Sequence, residues 1–164
     1  MSNTDLDPET LLSAYAQGAF PMTDSDGVTR WYTADPRGIL PLEEGKAAGQ
    51  FHVARSLRQV IDRRRFDVTY DTSFEAVMRA CMADRDEGTW ISEELVEAYV
   101  RLHGQDFAHS VEVREPAAGA RGGGVYGVSI GGGEMVEDAV LGAPRHQDDT
   151  IGQVLPQFQR IVTA

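Results

Sequence analysis

The chain has 164 residues, 41% of them apolar, enough for one ordinary domain with a buried core or for a small domain plus part of another. Fifteen Lys and Arg against 26 Asp and Glu leave a formal net charge of -11, so the protein as a whole repels polyanions and binds one only where its basic residues gather. One cysteine excludes an internal disulfide, no basic-plus-apolar leader precedes Asp5-Leu6-Asp7-Pro8, and no apolar run approaches the roughly 20 residues of a membrane span; a cytoplasmic chain without membrane attachment is the expectation.

Asp7-Pro8-Glu9 is a helix start: an acidic cap, a proline where its missing N–H does no harm, and an acidic first turn. Leu11, Leu12 and Tyr15 share one face of that helix, and Gly18 stops it before Phe20-Pro21. Asp24-Ser25-Asp26-Gly27 is a turn. Arg30-Trp31-Tyr32-Thr33 has strand composition, and beyond the turn residues 34–38 the run Ile39-Leu40-Pro41-Leu42 is its expected antiparallel partner. The polar, aperiodic stretch from Glu43 to Gln50 then predicts a boundary, which gives a small N-terminal domain over residues 1–50.

From Phe51 onward Leu57, Val60 and Ile61 define a helical face, with Arg55, Arg58, Arg63, Arg64 and Arg65 mostly away from it. A cationic helix in an acidic protein suits either a solvated surface that complements the macrodipole or a phosphate-binding patch. Phe66, Val68 and Tyr70 alternate with polar residues as a strand does, and Thr72-Ser73-Phe74-Glu75 offers a capping box to a helix buried through Phe74, Val77, Met78 and Cys81.

Residues 80–91 are the most unusual local chemistry: the end of a buried helix face, the charges Asp84-Arg85-Asp86-Glu87, then Trp90. A ring beside a charged loop serves as a core anchor or as a ligand platform, and composition leaves both open. Ser92 caps a further helix with Leu95, Tyr99 and Leu102 on one face. Ala108 to Val113 reads as a strand, Pro116 to Gly124 as a glycine-rich turn, and Val125 to Ile130 as the partner strand. No sustained period follows Gly131, and 133–164 is expected to be a divergent or disordered tail, a truncated or frame-shifted continuation.

The four histidines are scattered without a metal-ligand spacing, so no metal is expected. The glycine runs 122–124 and 131–133 lack the lysine of a phosphate loop and read as turns. Asp106, His109 and Ser110 do not make a triad, because neighbours in a strand point to opposite faces. Cys81 has no activating histidine nearby in sequence and reads as packing. The residues alone lead to an α/β or α+β domain with a basic helix and an aromatic cluster.

Several motifs in order carry a resemblance: Leu11-Leu12-Ser13-Ala14-Tyr15-Ala16-Gln17-Gly18-Ala19-Phe20-Pro21, Trp31-Tyr32-Thr33-Ala34-Asp35-Pro36-Arg37, Phe51-His52-Val53-Ala54-Arg55-Ser56-Leu57, Asp84-Arg85 with Thr89-Trp90-Ile91, and Ala108-His109-Ser110-Val111-Glu112-Val113. From about Leu6 to Ile130 the chain resembles the leucyl/phenylalanyl-tRNA–protein transferase family. That resemblance implies an aminoacyltransferase that moves Leu or Phe from aminoacyl-tRNA to an N-terminal Arg or Lys of acceptor proteins, marking them for degradation, with no cofactor. It also implies a small N-terminal domain followed, over 51–132, by the first half of an acyl-CoA N-acyltransferase-like domain.

By matched position the resemblance makes Trp31, Tyr32 and Trp90 candidates for the aminoacyl or terminal-adenosine pocket, and Arg55, Arg58, Arg63, Arg64 and Arg65 candidates for the tRNA backbone. Gly133-Glu134-Met135 echoes the family's G-E-S-M-F motif and makes Glu134 the catalytic candidate; the family's later aspartate–x–glutamine pair has no counterpart. The alternative from another class is a non-catalytic, tRNA-binding remnant. An acyl-CoA-dependent acetyltransferase is disfavoured by the lack of a pyrophosphate loop before a helix.

Overall fold

The computed structural model describes residues 6–33, 55–64, 66–83, 88–114, 121–130 and 133–141. Helix α1 (Pro8–Ala16) starts where the sequence places it: the Asp7 carboxylate accepts the N–H groups of Glu9 and Thr10 at 2.9 and 3.1 Å. Gly18 then takes a left-handed φ of 80°, which a residue with a Cβ adopts only under strain, and turns the chain into β1 (Ala19–Thr23).

Strand β2 (Thr29–Thr33) pairs antiparallel with β1 across the Asp24 to Val28 turn. The run expected to pair with it, Ile39 to Leu42, lies outside the described residues. Phe20-Pro21 ended the helix as expected, but the extended backbone that proline imposes also starts a strand. Arg30 closes the hairpin by pairing with Asp24 and Asp26. Those hydrogen bonds and charges raise the Arg30 guanidinium and, with Arg30 as the main cause, bring the Asp26 carboxyl down to about 2.

Four further strands, β3 (Asp67–Tyr70), β4 (Ala108–Arg114), β5 (Arg121–Ile130) and β6 (Gly133–Leu141), form one antiparallel sheet in chain order. Between them run α2 (Arg55–Asp62), α3 (Phe74–Ala83) and α4 (Glu93–His103). The segment without regular period after Gly131 thus contains a strand, whose register places Val136, Ala139 and Leu141 opposite Gly127, Val125 and Gly123. Its glycine-rich start hides the signal, since an antiparallel partner supplies order that alternation alone does not announce.

Period-two alternation splits the sheet. On one face Ala108, Tyr126 and Val128 pack with Phe74, Val77 and Met78 of α3, with Leu95, Tyr99 and Leu102 of α4, and with Leu11 and Tyr15 of α1 in a single core. The other face carries Val111, Val113 and Val125, all buried, and at the β3 edge Val68 and Tyr70, each 42% exposed. On α2, Leu57 is buried but Ile61 is 47% exposed, so the helical face read from the sequence is narrower than expected.

Glycines 122 to 124, read as a turn, are strand residues of β5. A Cβ at Gly124 would stand 3.0 and 3.1 Å from the two Cγ atoms of Val77, so a side chain there fits only if Val77 gives by a few tenths of an ångström. Gly124→Ala is therefore expected to destabilise the fold by about 1–3 kcal/mol, and Val77→Ala in the same chain to recover part of that loss in a urea titration.

Candidate functional site

Alternation along β2 sends Trp31 and Tyr32 to opposite sides of the hairpin. Trp31 packs against the core and forms one wall of an open cleft of about 500 Å³. The opposite wall is α1, through Thr10, Ser13, Ala14 and Gln17, with Asp7 and Glu9 at its acidic start. Asp7 is committed to capping, since its second carboxylate oxygen accepts the Thr10 hydroxyl at 2.6 Å, whereas Glu9 is exposed. The cleft thus offers an aromatic wall, two hydroxyl-bearing side chains and a carboxylate, a set suited to a planar ring with polar edges.

Tyr32 is outside that cleft. Its hydroxyl donates to Asp24 at 2.6 Å, and this bond to a carboxylate is the main reason its phenol is raised above the ordinary range. Trp90 is half-buried against the core, and its carbonyl accepts the N–H of Thr23 at 2.9 Å. Trp31 and Tyr32 thus stand on opposite faces of the hairpin, Trp90 joins its β1 strand through a backbone bond, and of the three only Trp31 lines the cleft. The charged stretch 84–87 just before Trp90 lies outside the described residues.

Arg55, Arg58, Arg63 and Arg64 are exposed on α2 and the turn after it, and make no ion pair among the described residues; Arg65 lies outside them. Glu134 takes the register position opposite Ser129 in β6. Among the described residues no group of His, Cys, Asp and Glu is placed to hold a metal ion, and no helix is long and apolar enough to cross a membrane.

Two polar clusters were not singled out from the sequence. Glu112, fully buried in β4, accepts the hydroxyls of Ser110, Thr69 and Thr72 at 2.6, 2.7 and 2.6 Å and the N–H of Ser73 at 3.2 Å. The capping box expected at Thr72 and Glu75 is replaced by this long-range cap, and Glu75 pairs instead with Arg79. Burial pushes the Glu112 carboxyl up, but its hydrogen bonds, from Ser110 first, outweigh burial and hold it below the usual range. The signal was available: Ser110 and Glu112 alternate with buried valines, so a carboxylate had to face the helices.

The second cluster joins Asp71 to β4. One Asp71 oxygen accepts the Ser110 N–H at 2.7 Å and the other accepts from His109 Nδ1 at 2.9 Å. The His109 ring thus serves Asp71 and the Ser110 hydroxyl serves Glu112, so these two side chains do not share a carboxylate. His103, stacked on Phe74 with ring centroids 4.4 Å apart, donates from Nδ1 to the Ala108 carbonyl at 2.8 Å.

The aromatic hairpin and the helices packed with it on a four-stranded antiparallel sheet define a mixed α+β protein. The family model for leucyl/phenylalanyl-tRNA protein transferase matches residues 47–140, and that for the N-terminal domain of the same transferase matches residues 4–35. A Herpetosiphon aurantiacus protein named leucyl/phenylalanyl-tRNA--protein transferase is 47% identical over 127 residues, 77% of this chain and 61% of the relative. Relatives of the same name from Alcanivorax borkumensis and Salinibacter ruber are each 44% identical, over 97% and 78% of this chain and 63% and 53% of their own lengths. The chain belongs to the leucyl/phenylalanyl-tRNA–protein transferase family, and it spans 53–63% of the length of these relatives.

Proposed function

We propose that the protein is an aminoacyltransferase, moving Leu or Phe from aminoacyl-tRNA to an N-terminal Arg or Lys of acceptor proteins in the cytoplasm and so marking them for breakdown. The observation that carries this reading is the match of both family models, in order, along most of the chain. The reaction is attack by a neutral α-amine on an ester, which requires a proton acceptor for the amine and stabilisation of the oxyanion but no covalent enzyme intermediate.

In this reading residues 1–50 form the small N-terminal domain, 51–132 the first half of an acyl-CoA N-acyltransferase-like domain, and 133–164 a divergent tail. Trp31, Tyr32 and Trp90 contact the aminoacyl group or the terminal adenosine, Arg55, Arg58, Arg63, Arg64 and Arg65 bind the tRNA backbone, and Glu134 belongs to the reacting centre. Support for the aromatic set comes from their common position around the β1–β2 hairpin; support for the arginines comes from their exposure.

The test is transfer of radiolabelled leucine from leucyl-tRNA to a peptide that begins with Arg. Turnover is expected, with Trp90→Ala and Trp31→Ala each lowering kcat/KM about 5- to 100-fold, as loss of a base–aromatic contact does. Binding of leucyl-tRNA without turnover would overturn the transferase reading.

A further inference from the structure

The β3 edge presents a surface that the aminoacyl-transfer reading does not use. Val68 and Tyr70, two residues apart on one face of the strand, are each 42% exposed, although their cross-strand neighbours on the same face, Val113 and Val111, are buried. Tyr70 thus flanks the buried valine strip at its open edge and is accessible to solvent, where an aromatic ring can stack on a ligand. A soluble domain has little reason to leave a tyrosine and a valine side by side on an edge strand unless something covers them.

Charge says what covers them. Arg63 and Arg64 occupy the turn that joins α2 to β3, and Asp67 to Tyr70 is only about 10 Å of strand, so the arginines and the ring lie along one short path. Residues 55–71 hold five arginines against three aspartates, the reverse of the balance in the chain as a whole. Of those aspartates, Asp71 is already engaged by His109 and the Ser110 N–H. Exposed arginines next to an exposed aromatic are the two parts of a single-strand nucleic-acid track: cations for the phosphates and a ring for a base.

We infer that the Val68–Tyr70 face of β3 is a base-stacking platform on which a single-stranded segment of RNA lies, continuing the arginine track of α2. The inference rests on the tRNA reading for the source of that RNA, and on the exposed tyrosine for its place.

The test is fluorescence anisotropy of the full chain with a labelled single-stranded RNA and with the same RNA annealed to its complement, across a salt series. Tyr70→Ala is expected to weaken the single strand about 5- to 100-fold with the salt slope unchanged, Tyr70→Trp to keep the affinity, and the duplex to be indifferent to both. Arg63→Ala with Arg64→Ala is expected to lower the salt slope by about 1.4. Wild-type affinity in Tyr70→Ala, or its loss of an acceptor peptide in place of RNA, would overturn the platform. If the arginine variant loses RNA while Tyr70→Ala does not, the platform falls and the tRNA reading stands; RNA bound by no form sinks both. Circular dichroism of each variant shows whether the fold is intact.

Discussion

Replacing Glu112 with alanine is expected to cost about 3–5 kcal/mol of folding stability, because it leaves the buried Ser110 hydroxyl and the N–H at the start of α3 without their acceptor and takes from Thr69 and Thr72 the carboxylate that ties them to β4. Glu112→Gln should cost less, about 1–3 kcal/mol, since an amide keeps one acceptor oxygen but turns an NH2 toward groups that already donate. Urea midpoints measure both. The charge has a pH signature with a definite sign. Hydrogen bonds hold the folded-state value of Glu112 below its ordinary 4.5, so its stabilisation is complete above about pH 4.5 and is lost as pH falls through the folded-state value. The stability gap between the wild-type protein and Glu112→Gln should therefore be full at neutral pH and close in acid. A gap that stays constant to low pH would show that the packing of the side chain, and not its charge, carries the effect.

This carboxylate also shows where the sequence was legible and where it was not. The caps at Asp7 and Ser92 were readable because the side chain and the N–H it accepts are two or three residues apart. At α3 the local pattern was just as good, yet Thr72 donates to a carboxylate 40 residues away. A side chain arriving from another strand competes with a local cap, and no window of sequence contains both. The same limit governs the first hairpin: β2 was legible from its own composition, but its pairing with β1, closed by Arg30 on Asp24 and Asp26, was not.

Glycine misled for a related reason. Gly124 sits in a strand where Val77 of α3 packs closely over it, a fact about packing that reads in sequence as a turn. For the candidate site, residue identity was readable and arrangement was not. Trp31, Tyr32 and Trp90 were singled out by type and by resemblance, and the structure sets them around one hairpin. That Trp31 alone faces the cleft follows from strand alternation, while Trp90 reaches the hairpin through its backbone, which no side-chain pattern encodes. Tyr70 read only as one apolar position of a strand; its exposure depends on β3 being the edge of the sheet.

Tyr99→Ala is expected to have an effect as large as loss of Glu112, about 3–5 kcal/mol, and to reach the cleft as well. Tyr99 is fully buried where α1, α4 and β5 meet: its ring stands edge-on to Tyr15 at 6.4 Å and to Tyr126 at 5.9 Å, and its hydroxyl is hydrogen-bonded to that of Tyr15. Two effects compete to explain why α1 stays on the core. The hydroxyl pair is worth about 1 kcal/mol net, whereas the buried ring and its two aromatic contacts are worth several times that, so packing should dominate. Tyr99→Phe, which keeps the ring, should then cost only about 1 kcal/mol. Because α1 forms the wall of the cleft opposite Trp31, loosening it should also shift tryptophan emission to the red before global unfolding in Tyr99→Ala and leave it unchanged in Tyr99→Phe. Equal losses in the two variants would mean that the hydroxyl pair, and not the ring, fastens α1 to the core.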